Sequence, residues 1–134
     1  MTQISVLGAG AWGCTMAQVL SDAGCDVLVW GRDAEVVNEI NTFHSNSKYL
    51  PGTFLPAQLR ATIDIAAAIG HSRTYVFAIP AQSLRPKLQE WRSVIGADAT
   101  LVSTVKGIEV STLMRMSEVI ADVLAVDQGQ VGII

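Results

Sequence analysis

Apolar residues occur along this chain in short unbroken runs separated by stretches of helical period. Ile4–Leu7, Asp26–Trp30, Leu59–Thr62, Tyr75–Ile79, Leu101–Val105 and Gln130–Ile134 each read as a strand, and the run Tyr75-Val76-Phe77-Ala78-Ile79 is apolar throughout. Continuous hydrophobicity without alternation is the mark of a strand covered on both faces. Between these runs the spacing predicts helices. One spans Ala11 to Ala23, with Met16, Ala17, Val19 and Leu20 as its stripe and Gly24 as its stop. A second spans Ala34 to Phe43 behind Asp33 as N-cap, and Asp64 caps an alanine-rich turn through Ala68 that Gly70 ends. A helix from Leu84 to Ile95 has Ser83 as its cap and Pro86 in its first turn. The last, from Thr112 to Leu124 behind Ser111, repeats Leu113, Met116, Val119, Ile120, Val123 and Leu124. Strands alternating with helices predict an α/β chain: a doubly wound, mostly parallel sheet with helices on both faces. His44 to Pro56 lacks a clear period and reads as a polar surface loop turned at Pro51-Gly52, although loops at strand ends also line ligand crevices.

Composition narrows the classes. The 134 residues make one domain long enough for a substantial core. Half are hydrophobic and the mean hydropathy is +0.39, as a doubly covered sheet requires. No apolar run reaches the roughly 20 residues of a membrane span. The net charge is −3 with no basic stripe, which argues against nucleic acid as a partner. No basic region precedes the first strand, so no signal peptide is expected and the cytoplasm is the expected location. Cys14 and Cys25 have no metal-ligand spacing and read as buried or inert thiols; His44 and His71 are equally poor metal ligands. The methionines read as core filler.

The chemistry is concentrated in Gly8-Ala9-Gly10-Ala11-Trp12-Gly13, a G-x-G-x-x-G turn that leaves the first strand and opens the first helix. Gly8 permits the tight turn, Gly10 lets a pyrophosphate approach backbone, and Gly13 lets the helix pack close to the strand. The helix N-terminus then offers free N–H groups to phosphate. At the end of the second strand, where a carboxylate commonly bonds a ribose 2′-hydroxyl, stand Gly31 and Arg32. An arginine there suits a 2′-phosphate and favours NADP over NAD; otherwise it is a solvated surface charge. Pro80, Ala81 and Ser83 follow the fourth strand at the point where the sheet reverses direction, and small Ala81 would admit a ribose. Lys106 follows the fifth strand and either points into the same crevice or is a solvated charge.

With these residues in place the chain resembles the N-terminal domain of bacterial NAD(P)-dependent glycerol-3-phosphate dehydrogenase. The resemblance rests on the glycine turn with Trp12 inside it, on Trp30-Gly31-Arg32, on Asn46 to Gly52 with Tyr49-Leu50-Pro51-Gly52, and on Lys106-Gly107-Ile108-Glu109. It implies a Rossmann domain over residues 1–134, cut short at its C-terminal end, with the family's helical C-terminal domain absent. It implies hydride transfer between NAD(P)H and dihydroxyacetone phosphate, giving sn-glycerol 3-phosphate for phospholipid synthesis, with a homodimer open as a partner. Gly8, Gly10, Ala11, Trp12, Gly13, Arg32, Tyr49, Pro80 and Lys106 are the implied cofactor contacts, and Lys106 also touches substrate. Ala11 stands where the family often has serine, so only a backbone contact is expected there. The family's catalytic lysine and phosphate-binding arginine belong to the absent domain, so no catalytic residue is expected in this chain, and alone it should be inactive. Other readings are a nucleotide-sensing Rossmann module without catalysis, another ketoacid or hydroxyacid reductase on the same scaffold, and a flavin or adenosine-ligand domain.

Overall fold

The computed structural model describes every residue, Met1–Ile134. Six parallel strands form its sheet: β1 (Gln3–Leu7), β2 (Asp26–Trp30), β5 (Arg60–Thr62), β6 (Thr74–Phe77), β7 (Thr100–Ser103) and β8 (Val131–Ile133). Their spatial order is β5-β2-β1-β6-β7-β8. Counted within this sheet alone, that is the 3-2-1-4-5-6 order of a doubly wound dinucleotide fold, whose direction reverses between β1 and β6.

Side chains of successive residues leave a strand on opposite faces, and the core divides accordingly. Ile4, Val6, Val27, Val29 and Val76 point to one face, where α1 (Ala11–Asp22) and α2 (Ala34–Phe43) supply Cys14, Ala17, Val36, Val37 and Ile40. Leu7, Trp30, Tyr75, Phe77 and Leu101 point to the other. There α3 (Ile65–His71), α4 (Leu84–Trp91) and α5 (Met116–Leu124) bring Ala68, Leu84, Leu88, Trp91, Val119 and Ile120. Trp30 and Trp91 meet edge to face at 5.1 Å in this second layer. Ser5 is the one buried polar residue of β1. Its buried hydroxyl donates to the Ala68 carbonyl at 2.6 Å and lies 2.9 Å from Ser72 Oγ, so this hydroxyl is satisfied.

Several expectations are corrected. The buried face of α1 is Gly13, Cys14, Ala17 and Ser21, while Val19 is 57% exposed. Small residues line this face because the helix lies close against the sheet. Residues 44–56 are not a plain loop: β3 (Ser45–Asn46) and β4 (Leu50–Phe54) pair antiparallel, with Pro51 and Gly52 inside β4 rather than at the turn. An edge strand tolerates a proline that cannot donate to a ladder, and Gly52 has φ +77°. Gly70 lies within α3, which ends at His71 with Ser72 as its C-cap. Ser83 makes no side-chain cap; residues Ala81–Ser83 form a 3-10 turn that leads into α4, which stops at Trp91. Nor does Ser111 open the last helix. That helix starts at Met116, where the Glu118 carboxylate accepts from the backbone N–H of Arg115 at 2.8 Å, and Leu113 (φ 60°) is 77% exposed in the preceding loop.

No helix is long and apolar enough to cross a membrane.

Candidate functional site

The ends of β1, β2, β6 and β7 open onto a cleft of about 620 Å³ at the carboxyl edge of the sheet, across the point where its direction reverses. That size lies within the range of ligand pockets. The three glycines of the turn stand in different surroundings. Gly8 has φ +137°, and a Cβ there would overlap the Ala78 carbonyl; its own N–H donates to Trp30 O at 2.9 Å. Gly13 does not line the cleft. A Cβ on it would run into the Gly8 carbonyl oxygen, so it seats α1 beneath the turn rather than touching a ligand. At Gly10, by contrast, a Cβ would meet no heavy atom within 4 Å. Gly10 is the N-cap of α1 and supplies no side-chain cap, so the first N–H groups of the helix face the cleft without an internal partner. Gly31 is also steric: a Cβ there would come 2.7 Å from Ala9 Cβ, so glycine allows β2 to end against the turn.

Ala11 and Trp12 continue the wall, with Trp12 48% exposed. Arg32 is exposed on the opposite rim and enters none of the ion pairs of the molecule. Asp33 caps α2, accepting from Glu35 N at 3.0 Å, and its other carboxylate oxygen takes Lys48 Nζ at 3.0 Å. The Lys48 ammonium and the capping amide hold the Asp33 carboxyl below the usual carboxylate range, and Asp33 in turn raises the Lys48 ammonium.

Lys48 and Tyr49 reach the cleft because the β3–β4 hairpin is tied down on three sides. Glu39 of α2 accepts from Ser45 Oγ at 2.8 Å and from Ser47 N and Oγ at 2.8 and 3.0 Å. These bonds lower its carboxyl pKa. Asn46 is fully buried. Its Nδ2 donates to the Ala9 carbonyl at 3.0 Å, and its Oδ1 accepts from Tyr49 N at 3.3 Å, linking hairpin to glycine turn. The same Nδ2 lies 3.3 Å from Cys14 Sγ, whose pKa burial pushes up. Leu55, buried against the α1–α2 face, anchors the outgoing strand, and its N–H reaches His44 O at 2.7 Å.

On the far side Pro80 and Ala81 follow β6, and Thr104, Val105 and Lys106 follow β7. The Thr104 hydroxyl donates to Phe77 O at 2.8 Å and so fixes the end of β7 against β6. Lys106 Nζ donates to the Ile134 carbonyl at 2.7 Å. Its loop is clamped from below. Gln82 bonds both Ile108 O (2.9 Å) and Val110 N (3.1 Å), while Glu109, 6% exposed, takes Arg85 Nε through both oxygens at 3.0 and 3.1 Å.

Gly8, Gly10, Ala11, Trp12, Arg32, Tyr49, Pro80 and Lys106 thus meet in one cleft, and of the expected site residues only Gly13 stays outside it. Lys48 and Asn46 escaped functional assignment from sequence. Their stretch had no period to place it, although it carried part of the family resemblance. A pyrophosphate fits what is present: open space over Gly10, unpartnered helix N–H groups beside it, and an unpaired guanidinium on the rim.

The profile of the family described as NAD-dependent glycerol-3-phosphate dehydrogenase N-terminus matches residues 3–134. The glycerol-3-phosphate dehydrogenase [NAD(P)+] 2 of Mycobacterium bovis is 47% identical over 131 residues, covering 98% of this chain and 39% of that protein. The glycerol-3-phosphate dehydrogenase [NAD(P)+] of Corynebacterium diphtheriae is 49% identical over 132 residues, covering 98% of this chain and 40% of that protein. Among solved structures, the glycerol-3-phosphate dehydrogenase of Coxiella burnetii superposes with a TM-score of 0.85 at 27% identity, over 98% of this chain and 39% of that one. The chain therefore spans about two fifths of the length of the relatives it matches. Strand order, glycine turn and whole-chain similarity agree, and the chain belongs to the family of NAD-dependent glycerol-3-phosphate dehydrogenase N-terminal domains.

Proposed function

We propose that residues 1–134 are the dinucleotide-binding unit of an oxidoreductase that interconverts dihydroxyacetone phosphate and sn-glycerol 3-phosphate with a nicotinamide cofactor, NADP being preferred to NAD. The observation that carries this reading is the open space above Gly10, bounded by the free N-terminus of α1 and faced by Arg32. In this reading the backbone N–H groups of Ala11 and Trp12 hold the pyrophosphate, and Gly8 shapes the turn that presents them. Arg32 pairs with the 2′-phosphate through its planar fork. Tyr49 and Pro80 border the bound dinucleotide. The cofactor supplies the hydride. Lys106 brings an ammonium to the edge where substrate arrives, where it orients the substrate and stabilises negative charge developing on a carbonyl oxygen.

The product would serve phospholipid synthesis, in the cytoplasm, and the whole protein would work as a homodimer. The groups that complete proton transfer and grip the substrate phosphate would come from the part of the protein beyond this chain. The test is an assay of the full-length protein with dihydroxyacetone phosphate, following NADPH and NADH at 340 nm. Oxidation dependent on dihydroxyacetone phosphate, with kcat/KM higher for NADPH, is the expected result. Nucleotide binding without turnover would instead favour a sensing module, and absence of binding would remove the cofactor assignment.

A further inference from the structure

Beside Arg32 the cleft carries a second pair of charges that the reading above leaves unused. Asp33 lies twenty positions after Gly13 and three residues beyond the end of β2, as the N-cap of α2, close to where doubly wound folds place the carboxylate that bonds a ribose 2′-hydroxyl. Here that carboxylate has two tasks at once: one oxygen caps α2 and the other holds Lys48 Nζ at 3.0 Å. Lys48 comes from a different element, the turn of the β3–β4 hairpin, which Glu39 and Asn46 hold in place. Its side chain is 57% exposed, it lines the same cleft as Arg32, and its ammonium lies 5.4 Å from the centre of the Tyr49 ring. An ammonium on a flexible stem can leave a carboxylate that is itself 32% exposed at little cost, because an exposed ion pair contributes little to stability.

We propose that Asp33 and Lys48 form a two-way reader of the ribose 2′ position, an assignment that rests on the adenosine ribose lying at Arg32. When the substituent is a hydroxyl, Asp33 accepts its hydrogen bond and Lys48 stays paired to the carboxylate, neutralising it. When the substituent is a phosphate, Lys48 swings off Asp33 and joins Arg32 on the dianion. One chain then accepts both cofactors without a rearrangement of its backbone, and Lys48 sets the margin between them. The mutually opposed pKa shifts of the two groups are consistent with a pair that is charged throughout the neutral range.

The experiment uses the full-length protein and isothermal titration with NADPH, NADH, 2′,5′-ADP and 5′-AMP, so that binding is read without turnover. Lys48→Ala should weaken NADPH and 2′,5′-ADP on the order of tenfold and change NADH and 5′-AMP less than about twofold, and Lys48→Arg should retain most of the NADPH affinity. Asp33→Asn, which keeps a good N-cap for α2, should weaken NADH on the order of fivefold while leaving NADPH unchanged or tighter. The two variants must move the NADPH to NADH ratio in opposite directions. If wild type binds both dinucleotides and either ratio stays at its wild-type value or moves the other way, the reader is overturned, whereas a ratio changed by Arg32→Ala alone leaves the cofactor assignment standing. Failure of the wild type to bind any of the four would overturn the cofactor assignment and the reader with it. Thermal melts of each variant separate loss of fold from loss of recognition.

Discussion

At Gly10 a side chain would enter empty space, while at Gly13 it would collide with the carbonyl of Gly8, so one sequence motif contains both a binding position and a packing position. The distinction is measurable. Gly10→Ala should cost about 1 kcal/mol of stability or less, the difference between glycine and alanine at an N-cap, yet raise the Kd for NADPH at least about tenfold, because its methyl occupies the space of the pyrophosphate. Gly13→Ala should destabilise the fold by about 3 kcal/mol or more, since neither the turn nor α1 can retreat from a backbone overlap. Urea titration paired with calorimetric binding separates the two effects. Equal losses of stability in both variants would contradict the assignment of roles. Asn46 makes the same point from the opposite side: it touches no ligand surface of its own, yet its amide sets the distance between the glycine turn and Tyr49.

Among the elements, the segment from Thr104 to Arg115 shows how a long connection is made rigid without regular structure. Arg85 of α4 bonds both Glu109 and Asp122, and Thr112 adds a 2.5 Å hydrogen bond to Glu109. The Arg85 guanidinium, then the Thr112 hydroxyl, hold the Glu109 carboxyl below its usual value of 4.5. A carboxyl whose pKa is lower in the folded state than in the unfolded one stabilises the fold at pH above its unfolded value. That contribution is lost as pH falls through the folded value. Stability should therefore decline below about pH 4.5, and Glu109→Gln should remove this part of the acid dependence while lowering neutral-pH stability by about 1–3 kcal/mol. Denaturant midpoints across pH 3 to 7 test it. Parallel curves for variant and wild type would show that Glu109 does not clamp the loop that carries Lys106.

For the whole molecule, the sheet order places β1 and β6 at the centre, each with strands on both sides, and β5 and β8 at the edges. Their side chains divide between the two cores, so opening β1 or β6 breaks both layers at once. Amide hydrogens of Val6, Leu7, Val76 and Phe77 should exchange slowest, near the limit of global unfolding, and those of β8 and the hairpin turn at Ser47 to Tyr49 much sooner. Exchange that slowed in the hairpin and the Lys106 loop on adding NADPH, leaving the central strands unchanged, would place the ligand at this edge of the sheet. Slower exchange in β8 than in β1 would contradict the layered arrangement.

Local patterns in the chain sufficed for the sheet and its ligand edge. Continuous apolar runs such as Tyr75–Ile79 need no distant partner to be recognised, and the spacing of Gly8, Gly10 and Gly13 carries its own geometry. Asp33 could be read as a cap because a cap depends on neighbours two and three residues away. Two of the elements that were misread depend on distant groups. The hairpin at Ser45–Phe54 exists because Glu39 and Ala9 hold it, residues six or more positions away that no local period reports. The last helix starts at Met116 rather than Thr112: Thr112 donates to Glu109, which Arg85 of α4 also holds, and Glu118 accepts from Arg115 N at the helix start. Likewise, Arg32 and Lys106 could each be read as a solvated surface charge, and only the tertiary structure brings them with Lys48 to one cleft. Where near neighbours decide the backbone the sequence alone sufficed, and so it determined the six strands of the main sheet and the glycine turn. The meeting of charges from three separate connections is decided by packing of the whole, so the tertiary structure alone determined the site.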